Sequence, residues 1–130
     1  MQKNDALKYW LDLAEYDLET ARAMFNTGRF LYVGFMCHQS IEKTLKACVI
    51  SFQDSPPPFS HSLSLLAKKS GIWELFSQDQ QNFIDQIEPV NIEARYPSNK
   101  ERLLRSLSRE KCEIILKDTE DLVRWIKEKL

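Results

Sequence analysis

The sequence predicts an all-α protein, an up-and-down helical bundle of three long and two short helices forming a single domain over residues 1–130. Three observations predict it. Only three glycines and five prolines interrupt the chain, and they cluster. Apolar residues recur at three- and four-residue steps along three long stretches. No segment alternates apolar and polar residues with β-branched enrichment, as a half-buried strand would. At about 100–200 residues per domain there is room for one core. A chain this size buries roughly two-thirds of its unfolded surface, so it needs no covalent staples.

The first helix follows the stripe Leu7, Trp10, Leu11, Ala14, Leu18, Ala21 and Phe25. Asn4 or Asp5 can cap its first turn, and Gly28 suits the left-handed position that closes it. The second stripe runs Phe30, Val33, Gly34, Cys37, Ile41, Leu45, Cys48 and Phe52, and stops at Ser55. It stops because Pro56-Pro57-Pro58 cannot donate into a helix and bias preceding residues away from it. The triple proline reads as a stiff extended connection across the bundle end. A short third helix carries Leu63, Leu66 and Ala67, capped by Ser60 and ended by Gly71. A second short one, Asp79 to Glu88, holds Phe83, Ile84 and Ile87 on one face and is closed by Pro89. The last long stripe is Cys112, Ile115, Leu116, Thr119, Leu122, Val123, Ile126 and Leu130. Its start is open between two places. Ser108 is a natural cap, with Leu107 and Cys112 at hydrophobic-staple spacing, while Ser98 and Glu101 have capping-box spacing and would start it near Asn99.

Composition excludes several function classes. Eighteen basic and nineteen acidic residues nearly cancel, so bulk charge implies neither a nucleic-acid coat nor an acidic tail. Apolar runs are far shorter than the ~20 residues of a membrane span, and the first residues lack the apolar stretch of a secretory signal. Cys37, Cys48 and Cys112 are odd in number and widely spaced, which excludes a disulfide framework or zinc ribbon and fits a reducing cytoplasm. With two histidines and no Cys or carboxylate at ligand spacing, no metal site and no cofactor is expected.

The most informative run is His38-Gln39-Ser40-Ile41-Glu42-Lys43-Thr44-Leu45-Lys46-Ala47. At 100° per residue, His38, Glu42 and Lys46 form one row on the flank of the buried stripe, moving outward. Such a row can present an acid, a base and a cation to a polar ligand. An ordinary border histidine with a Glu–Lys pair worth about 0.3–0.5 kcal/mol would have the same spacing. His61 falls in the first turn of the third helix, where a purely structural bond to a loop carbonyl is the plainer use. Ser60-His61-Ser62 has no partner acid in sequence reach and is weak evidence for nucleophilic catalysis. From Arg95 to Lys111 six basic residues face two acids, whereas the first twenty residues hold five acids and two lysines. That asymmetry suits a phosphate-bearing ligand or an acidic partner surface, or else a solvated face.

Taken together, Trp10, Ala14, Asp17 and Leu18, then Gly28-Arg29-Phe30, His38 to Ala47, Ser60-His61-Ser62-Leu63, Ala94-Arg95-Tyr96-Pro97 and Trp125-Ile126 resemble the HEPN domain family over nearly the whole chain. The resemblance implies a helical bundle, commonly a homodimer, often encoded beside a minimal nucleotidyltransferase as a toxin–antitoxin-like pair. The family was named for proposed nucleotide binding, and many members are metal-independent ribonucleases with an Arg and a His four to six residues apart. This chain departs from that pattern. Neither His38 nor His61 has an arginine five to seven positions before it, and Arg29 lies nine before His38.

A polar pocket of His38, Glu42, Lys46, His61, Arg95 and Tyr96 follows as the expected ligand site, with His38, His61 and Arg95 the candidates for any catalysis. Arginine offers phosphate a planar fork, and tyrosine offers a base a stacking surface. A homodimer is expected, since the long amphipathic stripes together with Trp73, Phe76 and Phe83 exceed what one bundle covers. Three functions stand open: a module binding nucleotide or RNA phosphate beside a nucleotidyltransferase, an endoribonuclease toxin, and a structural interaction protein.

Overall fold

A computed structural model describes residues 2–93 and 95–130, with side chains described except at positions 93 and 97–100. The order is α1 (Lys3–Asn26), α2 (Phe30–Gln53), α3 (Leu63–Ser70), a 3-10 turn (Ile72–Leu75), α4 (Gln78–Ile87), α5 (Val90–Glu93), α6 (Pro97–Ser106) and α7 (Arg109–Lys127). The three long helices are α1, α2 and α7, and no strand occurs among the described residues. The two short helices read from the pattern are α3 and α4, and the 3-10 turn, α5 and α6 add further short pieces.

α1 and α2 form an antiparallel hairpin through three residues. Gly28, at φ +76°, lets its own N–H reach the Phe25 carbonyl and the Arg29 N–H reach that of Met24 at 2.8 Å. These are the paired bonds of a Schellman close. The helices then approach tightly. Ser40 donates to the Ala14 carbonyl at 2.7 Å, Asp17 pairs with Lys43, and Ala14 and Ala21 are fully buried. α7 lies along both, with Arg22–Glu120 at 3.1 Å and Lys127–Glu15 at 3.2 Å bridging it to α1. Ile41, Leu45, Leu66, Ile84, Cys112, Val123 and Ile126 meet in one core to which every long helix contributes, Ala21 coming from α1.

Several local expectations are corrected. α1 begins after Gln2 with no side-chain cap, and Asp5 instead sits in its first turn, where a negative charge suits the helix dipole. The cap of α3 is Ser62, whose hydroxyl accepts from the Leu65 N–H at 3.2 Å, and Ser60 accepts from the Ser62 N–H one step earlier. His61 therefore precedes the helix. The last long helix starts at Arg109, with Ser108 accepting from Lys111, while α6 is separate and broken off at Leu107. Leu107 and Cys112 are both buried, as a staple requires. The side chain of Ser98 lies outside the described residues, and Pro97 opens α6 at its first position. Phe76 and Phe83 are buried and Trp73 is partly buried within this chain, with Phe76 meeting Trp73 edge-on and Trp125 at a tilt. Those aromatics therefore do not call for a second copy to cover them.

Candidate functional site

His38, Glu42 and Lys46 do form one row along α2. The row does not turn outward. Their exposures are 0%, 3% and 7%, because α1, the segment before α3 and the end of α4 all close over this flank. Trp10 of α1 lies beneath the Lys46 ammonium at 5.1 Å. Glu42 uses both oxygens, one facing His61 Nδ1 at 3.0 Å and one accepting from Lys46 Nζ at 3.2 Å. A buried pair of this kind is held by Coulomb attraction that offsets the cost of removing both ions from water.

His38 is enclosed differently. Its Nε2 is 3.6 Å from Glu88 Oε2, too long for a hydrogen bond, and neither ring nitrogen has a hydrogen-bond partner among the described residues. Glu88 is itself committed to the start of α3. It accepts from the N–H of Leu63 at 2.8 Å and of Ser64 at 3.1 Å, and from the hydroxyls of Ser62 and Ser64. Burial works against its charge, but the nearby His38 ring, the two N–H groups and the Ser62 hydroxyl outweigh it and bring its pKa down to about 2. A carboxylate supplied from elsewhere in the chain thus caps a helix N-terminus.

Farther toward the start of α2, Gly34 permits the approach of α5. A Cβ there would stand 3.2 Å from the Val90 side chain. That contact sets Asn91 against Gln39, which donates to it at 3.0 Å, and carries the chain on to Arg95. Arg95 is exposed, with its guanidinium 5.4 Å from the Phe35 ring centre. Phe35 precedes His38 by three residues, so Arg95 borders the row one helical turn before it. Tyr96 beside it is exposed. Ala94, which opens the Ala-Arg-Tyr-Pro run, lies outside the described residues.

The fold therefore joins His38, Glu42, Lys46 and His61 in one array, and leaves Arg95, against Phe35, and the adjoining Tyr96 exposed outside it. The array is a filled polar layer rather than an open pocket. His61, whose side chain is 59% exposed, is its member in contact with solvent. Sequence reasoning missed Glu88, Asn91 and Gln39. Nothing local announces Glu88, since its partners lie some twenty-five residues upstream. Of the basic run, Arg102, Arg105, Arg109 and Lys111 are exposed, and Arg109 rests on Phe25 and Phe30. Among the described residues no group of three or more His, Cys, Asp and Glu side chains is placed to hold a metal, and no helix is long and apolar enough to cross a membrane.

Comparison with known proteins agrees with this architecture. A family model described as HEPN domain matches residues 7–130. The crystal structure of TT1696 from Thermus thermophilus is similar, with a TM-score of 0.78 over 95% of this chain and 98% of that one, at 20% identity. At that identity the likeness concerns the fold. No curated protein matches significantly.

Proposed function

The chain belongs to the HEPN domain family, and on that premise we propose that it is a HEPN module that binds a nucleotide or RNA phosphate without cleaving it. It would act as a homodimer paired with a minimal nucleotidyltransferase in a toxin–antitoxin-like system. The observation that carries this reading is the division between surface and interior. Arg95, against Phe35 three residues before His38, and the adjoining Tyr96 are exposed, whereas His38 is fully enclosed. A general base must come within hydrogen-bond reach of the proton it takes, which His38 with no exposed surface does not, and the exposed His61 has its Nδ1 engaged by Glu42 at 3.0 Å. Arg95 supplies a fork for phosphate and Tyr96 a face for a base, with Arg102 and Arg105 extending the positive surface. In this reading Glu42, Lys46, His38 and Glu88 hold the wall against which Arg95 is set, and His61 contributes at its solvent edge.

The endoribonuclease reading has two observations in its favour, the exposed His61 ring 3.0 Å from the Glu42 carboxylate and the unpartnered ring nitrogens of His38. A metal-free RNA cleavage assay separates the two. We expect no cleavage by wild type, and nucleotide or RNA binding weakened about tenfold by Arg95→Ala. Cleavage that disappears in His38→Ala would establish the nuclease. Binding unchanged in Arg95→Ala would leave only a structural role. Co-purification with a nucleotidyltransferase from the adjacent reading frame, and light scattering at micromolar concentration, test the partner and the dimer.

A further inference from the structure

A second surface shares no residue with the α2 row. An open furrow of about 520 Å³ runs between α4 and α7. Asp79, Gln80, Asn82, Phe83 and Gln86 line it from α4, and Asp118, Asp121, Leu122 and Trp125 from α7. Each set repeats at three- and four-residue steps, so two helix faces look at one another across a gap that neither fills. The floor is apolar, formed by Phe83, Leu122 and Trp125. The walls hold amides and three carboxylates, and no basic residue lines them.

Those carboxylates are incompletely neutralised. Asp121 pairs with Lys117 at 3.3 Å and Arg124 at 3.7 Å, both from α7 itself. Asp118 forms no ion pair among the described residues, and burial together with the neighbouring Asp121 pushes its pKa up from the ordinary 3.8. Trp125 already accepts an ammonium, since Lys129 Nζ from the chain's last turn stands 4.8 Å from its ring centre. An aromatic floor that attracts a cation, and walls on which Asp79 and Asp118 form no ion pair among the described residues, are complementary to the same chemistry.

We infer that the α4–α7 furrow is a docking groove for a basic amphipathic helix of another protein, its apolar side on Phe83, Leu122 and Trp125 and its Lys or Arg residues against Asp79, Asp118 and Asp121. Two helix faces with an apolar floor are the geometry into which a third helix is laid, anchored at i, i+3 or i+4, and i+7. Among the described residues this chain supplies no such helix itself. Basic α6 exposes one large apolar residue, Leu104, since Leu103 is spent on its own core. α1 exposes Tyr9 and Tyr16, but among Asp5, Asp12, Glu15 and Glu19.

The test uses the full chain and a fluorescein-labelled Leu/Lys amphipathic peptide of about 18 residues, long enough to be helical when bound, with a Leu/Glu peptide of the same pattern as comparison. Anisotropy titrations should show the Lys peptide binding and the Glu peptide failing to bind. Asp118→Asn with Asp121→Asn should weaken the Lys peptide at least about tenfold, whereas Asp12→Asn with Glu19→Gln on α1 should leave it unchanged. The Asn pair keeps side-chain size and removes charge that burial already disfavours at Asp118, so the variant should fold. Equal loss in both double variants would show attraction to bulk acidity and overturn the assignment. So would equal binding of the Glu peptide. Self-association of the chain that the furrow variant alone dissolves would make the occupant a second copy and would also overturn it.

Discussion

Glu88 stands just beyond the last residue of its own helix, yet four donors from the start of another helix converge on its carboxylate. Its pKa falls from an ordinary 4.5 to about 2, so its stabilising effect is complete above about 4.5 and is lost as pH drops through about 2. Glu88→Gln should therefore cost about 1–2 kcal/mol at neutral pH, the scale of a lost charged cap. Urea denaturation at pH 7 and near pH 2 should show that difference shrinking toward zero in acid. The neighbouring Glu42–Lys46 pair makes a different prediction. Lys46→Met leaves a buried carboxylate without its cation and should cost about 3 kcal/mol, while Glu42→Leu combined with Lys46→Met should recover most of that. His61→Ala should cost less than about 1 kcal/mol, because a half-exposed partner is screened by water. A double-mutant cycle by chemical denaturation checks all three.

Three helix ends use the left-handed conformation, α1 and α3 on glycines, Gly28 and Gly71, and α2 on Asp54. α1 closes on Gly28 at φ +76°, where an added Cβ would meet nothing within 4 Å. Gly28→Ala should accordingly cost about 1 kcal/mol through the backbone alone. α2 closes on Asp54 at φ +53°, the one described residue other than glycine at positive φ. Its ion pair with Lys3 is largely exposed and contributes little. Asp54→Gly should stabilise by a few tenths to about 1 kcal/mol. Thermal unfolding of the two variants should therefore shift in opposite directions.

The near-neutral chain distributes its charge unevenly, and the distribution decides what each face can meet. Three of the five acids of α1 are paired, Asp17 with Lys43, Glu15 with Arg22 and Lys127, and Asp12 with Lys8. Arg102 has no acidic partner within ion-pair distance among the described residues, and Arg105 has only Glu101 at 4.0 Å. If these residues meet phosphate, affinity should fall with salt by about 0.7 log units per log unit for each phosphate neutralised on a single strand. Three engaged cations would then cost roughly a hundredfold per decade of salt. Replacing Arg102 and Arg105 by Gln should flatten that slope by about 1.4 without altering base preference, because phosphate contacts position and do not read sequence. Arg95→Lys should weaken binding more than its retained charge suggests, since the planar fork is lost. RNA titrations at several salt concentrations measure both effects.

The all-α architecture, the three long helices and the Gly28 close were all legible along the chain, and Ser108 was one of the two caps it offered for the last helix. Each rests on interactions within a few residues: a 3.6-residue period, a left-handed turn, a hydroxyl meeting an N–H three positions on. The row His38, Glu42, Lys46 was legible for the same reason. Whether that row faces solvent or the interior was not, because the helix period fixes which residues share a face and not what covers the face. Trp10, His61 and Glu88 close over it from three other elements, and that closure turned a candidate pocket into a packed polar layer. Ser62 rather than Ser60 became the cap of α3 because a carboxylate from position 88 holds the N–H groups of Leu63 and Ser64. Likewise the α4–α7 furrow joins faces some thirty-five residues apart, where no local pattern relates Asp79 to Asp118. Contacts across such separations are made by the packing of whole helices, so only the assembled core selects them.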